Sequence, residues 1–154
     1  MANLERLLEP SKVFKGTATV TADGLLNFHN ITPEGGSSPY LDLSDVDWER
    51  IVVDLDVSAA SGTSPTLDVK GKTLNVSSGT AIATGTCNAI DGGGTAFAMT
   101  QATAATREIK ALGRRNADAD AAGVSNVGKY FALYGDVGGT SPSFTITYTV
   151  YVGK

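Results

Sequence analysis

Asp56-Val57-Ser58-Ala59-Ala60-Ser61-Gly62-Thr63-Ser64-Pro65-Thr66-Leu67-Asp68-Val69 and Asp136-Val137-Gly138-Gly139-Thr140-Ser141-Pro142-Ser143-Phe144-Thr145-Ile146 carry the same four residues, Gly-Thr-Ser-Pro, between an Asp-Val pair and a Thr-rich alternating run. Glycine reaches backbone conformations closed to other residues, and proline is tolerated where its missing N–H serves no ladder. Each copy therefore reads as a strand end, a turn through small residues, and a proline that opens the next strand. This is the pattern of an all-β antiparallel sandwich or jelly roll.

The flanking runs have a period of two. Ile51, Val53, Leu55 and Val57 share one face, with Val52, Asp54 and Asp56 on the other. Phe144, Ile146, Tyr148, Val150 and Val152 alternate with Thr145, Thr147, Thr149 and Tyr151. Near the start, Phe14, Gly16, Ala18 and Val20 face one way and Lys15, Thr17, Thr19 and Thr21 the other. A three-residue turn at Ala22-Asp23-Gly24 would set Val20 beside Leu26 and Ala18 beside Phe28, matching apolar residues across a hairpin. In that register His29 faces Thr17. Shorter strands are expected at 40–43, 74–76, 81–86, 97–99, 109–111 and 131–133, with a loop and a helical turn at 116–122. The total is roughly eight to ten strands.

Before the first strand, Leu4, Leu7 and Leu8 form an apolar stripe at helical spacing, stopped by Pro10. So short a segment holds no helix alone in water and needs a surface to dock on, in its own domain or in a neighbour. The expected organisation is an extended or short-helical arm over 1–12 and one β-sandwich domain over 13–154. That length suffices for a core without disulfides or metal.

The chain has a net charge of −4, and 18% of its residues are charged, which argues against a general nucleic-acid binder. No apolar run approaches a membrane helix, and the acidic N-terminus lacks the apolar stretch of a signal peptide. A soluble protein is the expectation. Acids crowd 42–56, whereas Arg107, Lys110, Arg114, Arg115 and Lys129 bias the later region toward positive charge. Unlike patches of this kind can meet head to tail between neighbouring copies.

Chemistry has few candidates. One His and one Cys, His29 and Cys87, provide neither a zinc ligand set nor an oriented base for a nucleophile. Asp54 and Asp56 read as solvated residues of one strand face, Asp118 and Asp120 lack the rest of a calcium loop, and the Gly92 to Gly94 run lacks the lysine of a phosphate loop. No catalytic residue, metal or cofactor is expected. Trp48, Tyr40 and Tyr151, with Tyr130 and Tyr134, are the candidates for an aromatic sugar platform, against a role at the core or its rim.

Four stretches in order, residues 48–57, Ser61 to Val69 (SGTSPTLDV), Thr100 to Ala105 (TQATAA) and 128–144 ending in GGTSPSF, resemble a group of small tailed-phage virion proteins. This chain departs from the pattern by a longer Gly- and Thr-rich middle and a charged insert at 114–123, and the resemblance covers about two-thirds of the chain, from Trp48 onward. The resemblance implies a non-enzymatic structural protein, a capsid decoration or cement protein first. It would sit on the capsid exterior of a virion assembled in the host cytoplasm. Its partners would be the major capsid protein and further copies of itself, a trimer being favoured, with neither nucleic acid nor membrane. Leu4, Leu7, Leu8, Arg107, Lys110, Arg114 and Arg115 would make the contacts. The alternatives are a tail, connector or fibre-associated virion protein, and a carbohydrate-binding β-sandwich module.

Overall fold

The computed structural model describes residues 12–29, 31, 35–44, 48–74, 88–89, 91–92, 95–113 and 129–153. They form an all-β fold of eleven strands: β1 (Lys12–Val20), β2 (Gly24–Leu25), β3 (Phe28–His29), β4 (Ser37–Ser38), β5 (Leu41–Asp42), β6 (Arg50–Leu74), β7 (Asn88–Ala89), β8 (Asp91–Gly92), β9 (Thr95–Ala96), β10 (Thr106–Gly113) and β11 (Tyr130–Gly153). Nine of these share one antiparallel sheet, and β8 and β9 pair separately. Residues 1–11 of the expected arm, the helical turn at 116–122 and the strand at 81–86 lie outside the described residues, while Lys12, expected in the arm, begins β1.

β6 and β11 organise the molecule as a two-stranded ribbon, antiparallel from Tyr130↔Leu74 to Gly153↔Arg50. Here the turn expected at each Gly-Thr-Ser-Pro is corrected. Neither copy ends a strand; the two copies lie opposite each other, with Thr140 paired to Thr63. Between Gly138↔Thr66 and Thr140↔Thr63, Ser64 and Pro65 oppose Gly139 alone; between Thr140↔Thr63 and Ser143↔Ser61, Pro142 and Ser141 oppose Gly62 alone. Two residues against one is a β-bulge, so identical sequences make a symmetric pair of bulges. Both prolines fall inside them, where no ladder N–H is required.

The bulges have a steric cause. Gly62 and Gly139 have φ of 114° and 104°, and Ser64 and Ser141 have 50° and 49°. A Cβ on Gly62 would stand 2.7 Å from the Ser141 carbonyl oxygen, and one on Gly139 would stand 2.6 Å from that of Ser64. Only glycine fits both the conformation and the approach.

A straight strand the length of β6 would reach roughly 80 Å, about twice the diameter of a compact domain of this size. The ribbon therefore folds over at the bulges. Its first half, 50–60 with 143–153, is flanked by β10 on one side and by β1, β3 and β4 on the other. Its second half, 66–74 with 130–138, carries β2, β5, β7 and the bridges Leu67↔Ala102 and Lys70↔Ala98. A Cβ on Gly135 of the second half would lie 3.4 Å from Val20 of β1, so the two layers face each other. Ile51, Val53, Leu55 and Val57 join Leu67, Val69, Phe131 and Leu133 in one core.

The hairpin register is also corrected. β1 pairs along its whole length with β11, and β3 meets it at Lys15↔His29 rather than at Thr17. Leu25 pairs with Tyr134 in the other layer. A slip of two residues leaves every face unchanged. Phe28 is still buried and His29 still exposed.

Tyr148 is the largest fully buried side chain among the described residues. It sits opposite Gly16, where a Cβ would fall on its ring, and it meets Phe28 edge-on at 5.6 Å. Its hydroxyl donates to the Asn27 carbonyl. The glycine leaves the space that this ring fills, and the ring covers the backbone that the glycine exposes.

Candidate contact surface

The outer face of the first layer follows from the registers, because paired residues point the same way. Arg107, Asp56, Thr147 and Thr17 make one row across β10, β6, β11 and β1. Ile109, Asp54, Thr149 and Lys15 make the next, and Ala111, Val52, Tyr151 and Val13 the third. The first two rows are mainly Thr and charge; the third is apolar throughout. Ile109, Val13 and Tyr151, exposed by 62%, 46% and 38%, are the exposed large hydrophobic residues among those described, and all three lie in or beside that row. The sheet thus gathers into one stripe residues that are isolated exceptions on the polar faces of four strands.

Of the expected contact cations, the two described ones are engaged within the chain. Arg107 grips Asp54 through both ends of its guanidinium, Nε to Oδ1 at 2.9 Å and Nη2 to Oδ2 at 2.6 Å. Those bonds hold the Asp54 carboxyl below the ordinary carboxylate range, against a smaller opposing effect of burial. Asp54 was expected to be solvated; it is a paired acid whose side chain is 14% exposed. Lys110 donates to the Ala98 carbonyl at 2.6 Å, and Glu108 accepts from the Thr100 N–H at 2.6 Å and its hydroxyl at 3.0 Å. These bonds tie the edge of the first layer to the segment 98–100, which bridges to Lys70 at Ala98. Leu4, Leu7, Leu8, Arg114 and Arg115 lie outside the described residues.

Of the aromatic candidates, Tyr40 and Tyr130 are brought into contact. Trp48 is 4% exposed and belongs to the core, so it offers no free ring face to a sugar. Tyr40 is half-buried and packs edge-on against Tyr130, with centroids 5.0 Å apart. Tyr151 stands in the apolar stripe. Tyr134 carries Lys72 over its ring at 5.4 Å.

An open cleft of about 890 Å³ lies beside the start of β1, with Phe14, Ile31, Pro39, Tyr40 and Leu41 in its walls and Lys12 and Asp42 also lining it. Its acid is committed: Ser44 donates its N–H at 2.9 Å and its hydroxyl at 2.5 Å to Asp42, which lowers that carboxyl. His29 is exposed, with Nε2 3.5 Å from the Thr17 carbonyl. Among the described residues no three His, Cys, Asp or Glu side chains are grouped to hold a metal. The outer face of the first layer is Thr-rich with one apolar edge. Periodicity marks Val52 and Tyr151 only as apolar residues on polar faces, and it cannot say that they are neighbours. The chain matches no protein-family model and no curated protein.

Proposed function

We propose that this chain is a non-enzymatic structural protein of a tailed-phage virion, acting as a decoration or cement protein on the capsid exterior. The observation that supports it is the outer face of the first layer: four long strands, in continuous register from Val57 to Arg50 of β6, present rows of Thr, paired charge and one apolar stripe. A protein that binds only the assembled lattice stabilises that lattice by mass action, and a rigid face joined to a leucine-bearing arm suits this task. Its partners are the major capsid protein and further copies of itself, a trimer first, with Leu4, Leu7 and Leu8 reaching the neighbours once the lattice exists. Virion precedent for the SGTSPTLDV, TQATAA and GGTSPSF order adds to this reading.

The test is the absolute copy number of the chain in purified particles, by quantitative mass spectrometry against the major capsid protein. Hundreds of copies are expected. A handful moves the protein to a tail, connector or fibre position, and none removes it from the virion.

A further inference from the structure

We propose that β10 is a docking edge for a second copy of this chain, the two β10 strands pairing antiparallel about a two-fold axis at Ile109. The two ends of the sheet differ. One finishes in β4, two residues long, and the other in β10, which runs eight residues beside β6 without a shift of register. Among the described residues no strand pairs with the far side of β10. Soluble proteins blunt such edges with short strands, proline, bulges or inward charge. β10 has neither proline nor bulge, and it carries Ile109, at 62% the most exposed large hydrophobic side chain among the described residues.

The neighbouring segment does not close this edge. Met99 and Ala102 give their N–H groups to Val69 and Leu67 of β6, and residues 98–100 meet β10 through the Glu108 and Lys110 side chains. The β10 main chain takes no part in those bonds.

Charge selects the occupant and its register. Opposed residues in an antiparallel pair share a face, so β10 meets a copy of itself only in registers centred on one residue. Centred on Arg107, Glu108 or Lys110, the pairing sets two like charges directly opposite, which is destabilising. Centred on Ala111, it shortens the overlap to five residues of β10. Centred on Ile109, it sets Glu108 of each copy against Lys110 of the other and brings the two Ile109 side chains together on the outer face. The intrachain bonds leave capacity for this: the Glu108 carboxylate keeps lone pairs beyond those that Thr100 uses, and the Lys110 ammonium keeps donors beyond the one on Ala98. From Thr106 to Leu112 the pairing exchanges about six to eight main-chain hydrogen bonds. The edge, about 24 Å long and about 10 Å thick, is small against the ~800 Å² per partner of a stable interface, so the free dimer is weak.

The inference does not rest on the virion reading. Combined with it, the two-fold contact links copies of neighbouring trimers, where the lattice supplies the local concentration that a weak contact needs.

The test is sedimentation equilibrium of the full chain from micromolar to millimolar concentration, where the average mass should rise toward twice that of the monomer. Glu108→Lys alone and Lys110→Glu alone should each weaken the dimer about tenfold, because each makes both charge pairs alike. Mixing the two variants should restore association, since every pair across the mixed dimer is then opposite in sign. In a Cys87→Ser background, Ile109→Cys should form disulfide-linked dimers under mild oxidation, whereas Thr106→Cys, about 20 Å from its counterpart, should not. A parent monomeric at every concentration would overturn the proposal and leave the edge to a strand from another protein. A dimer indifferent to the charge variants and unlinked at residue 109 would overturn it in favour of another surface. Particle copy number is a separate measurement, so either reading can fail without the other.

Discussion

The two halves of the β6–β11 ribbon share strands and a core yet are flanked differently. In the first half, 50–60 with 143–153, alternate burial over 51–57 and 144–152 is matched by β1 and β10, which run alongside for nine and eight residues, and the one shift of register falls at Ser58. The second half, 66–74 with 130–138, interrupts its pattern with Gly71 and Gly135 and is bordered by two-residue strands and single bridges. Its stability depends more on individual side chains. Asp68 and Asp136 face each other across the pair; Lys70 binds Asp136 at 2.5 Å, and Gln101 donates to Asp68 at 2.8 Å, relieving a like-charge contact. Asp23 accepts the Val137 N–H at 2.7 Å, so residues expected to turn a hairpin instead tie down the opposite layer. The difference teaches that a sustained run of alternation recruits long partners, whereas a pattern broken by glycines is finished by local hydrogen bonds.

The largest expected effect tests the first half. Gly16→Val places a branched side chain where the Tyr148 ring lies, and that ring has no room to move, so we expect a loss of about 4 kcal/mol in denaturant unfolding. A cost below about 1 kcal/mol would mean that the first layer is far more pliant than its register indicates.

The joint between the halves comes next. Gly62→Ala and Gly139→Ala each combine a positive φ with a clash against a carbonyl of the opposite copy, and each should cost about 3 kcal/mol. Because the bulges are symmetric, the two costs should agree closely. A large inequality would break the equivalence of the two copies, and two small values would restore the independent turns expected from local sequence.

The smallest effect sharpens the account of the first half's core. Tyr148→Phe removes the hydroxyl that Asn27 accepts and should cost about 1 kcal/mol near neutral pH. Burial pushes the Tyr148 phenol from its ordinary 10.0 up to about 12. The folded state therefore favours the neutral phenol: its contribution is complete below pH 10 and is lost as pH rises from 10 through about 12. Melting temperature followed across that range should fall more steeply for the parent than for Tyr148→Phe. Parallel curves would show that the phenol ionises as freely folded as unfolded.

Much of this was legible beforehand because burial imposes parity. Ile51 to Val57 and Phe144 to Val152 are buried at alternate positions as their pattern demands, and Phe97 and Met99 are buried as a short strand requires. Parity is blind to partner. The β1 to β3 pairing was expected at Thr17 and is found at Lys15, two residues away, which costs no change of face. Leu25 pairs in the other layer for the same reason. Ile109 suits a strand but lies on its outward side, because nothing local distinguishes an apolar residue facing a core from one facing an edge stripe.

From the order of its residues alone, this chain is committed to β structure, to which side of each long strand is apolar, and to glycine and proline at two special points. Those commitments are local: side-chain alternation and backbone sterics act within a few residues. Whether Gly-Thr-Ser-Pro reverses the chain or bulges within it depends on what lies opposite, and only the fold places one copy against the other. The same long-range pairing joins Val13, Tyr151, Val52 and Ala111 into a surface, since neighbours across strands are chosen by register and layer packing rather than by separation along the chain.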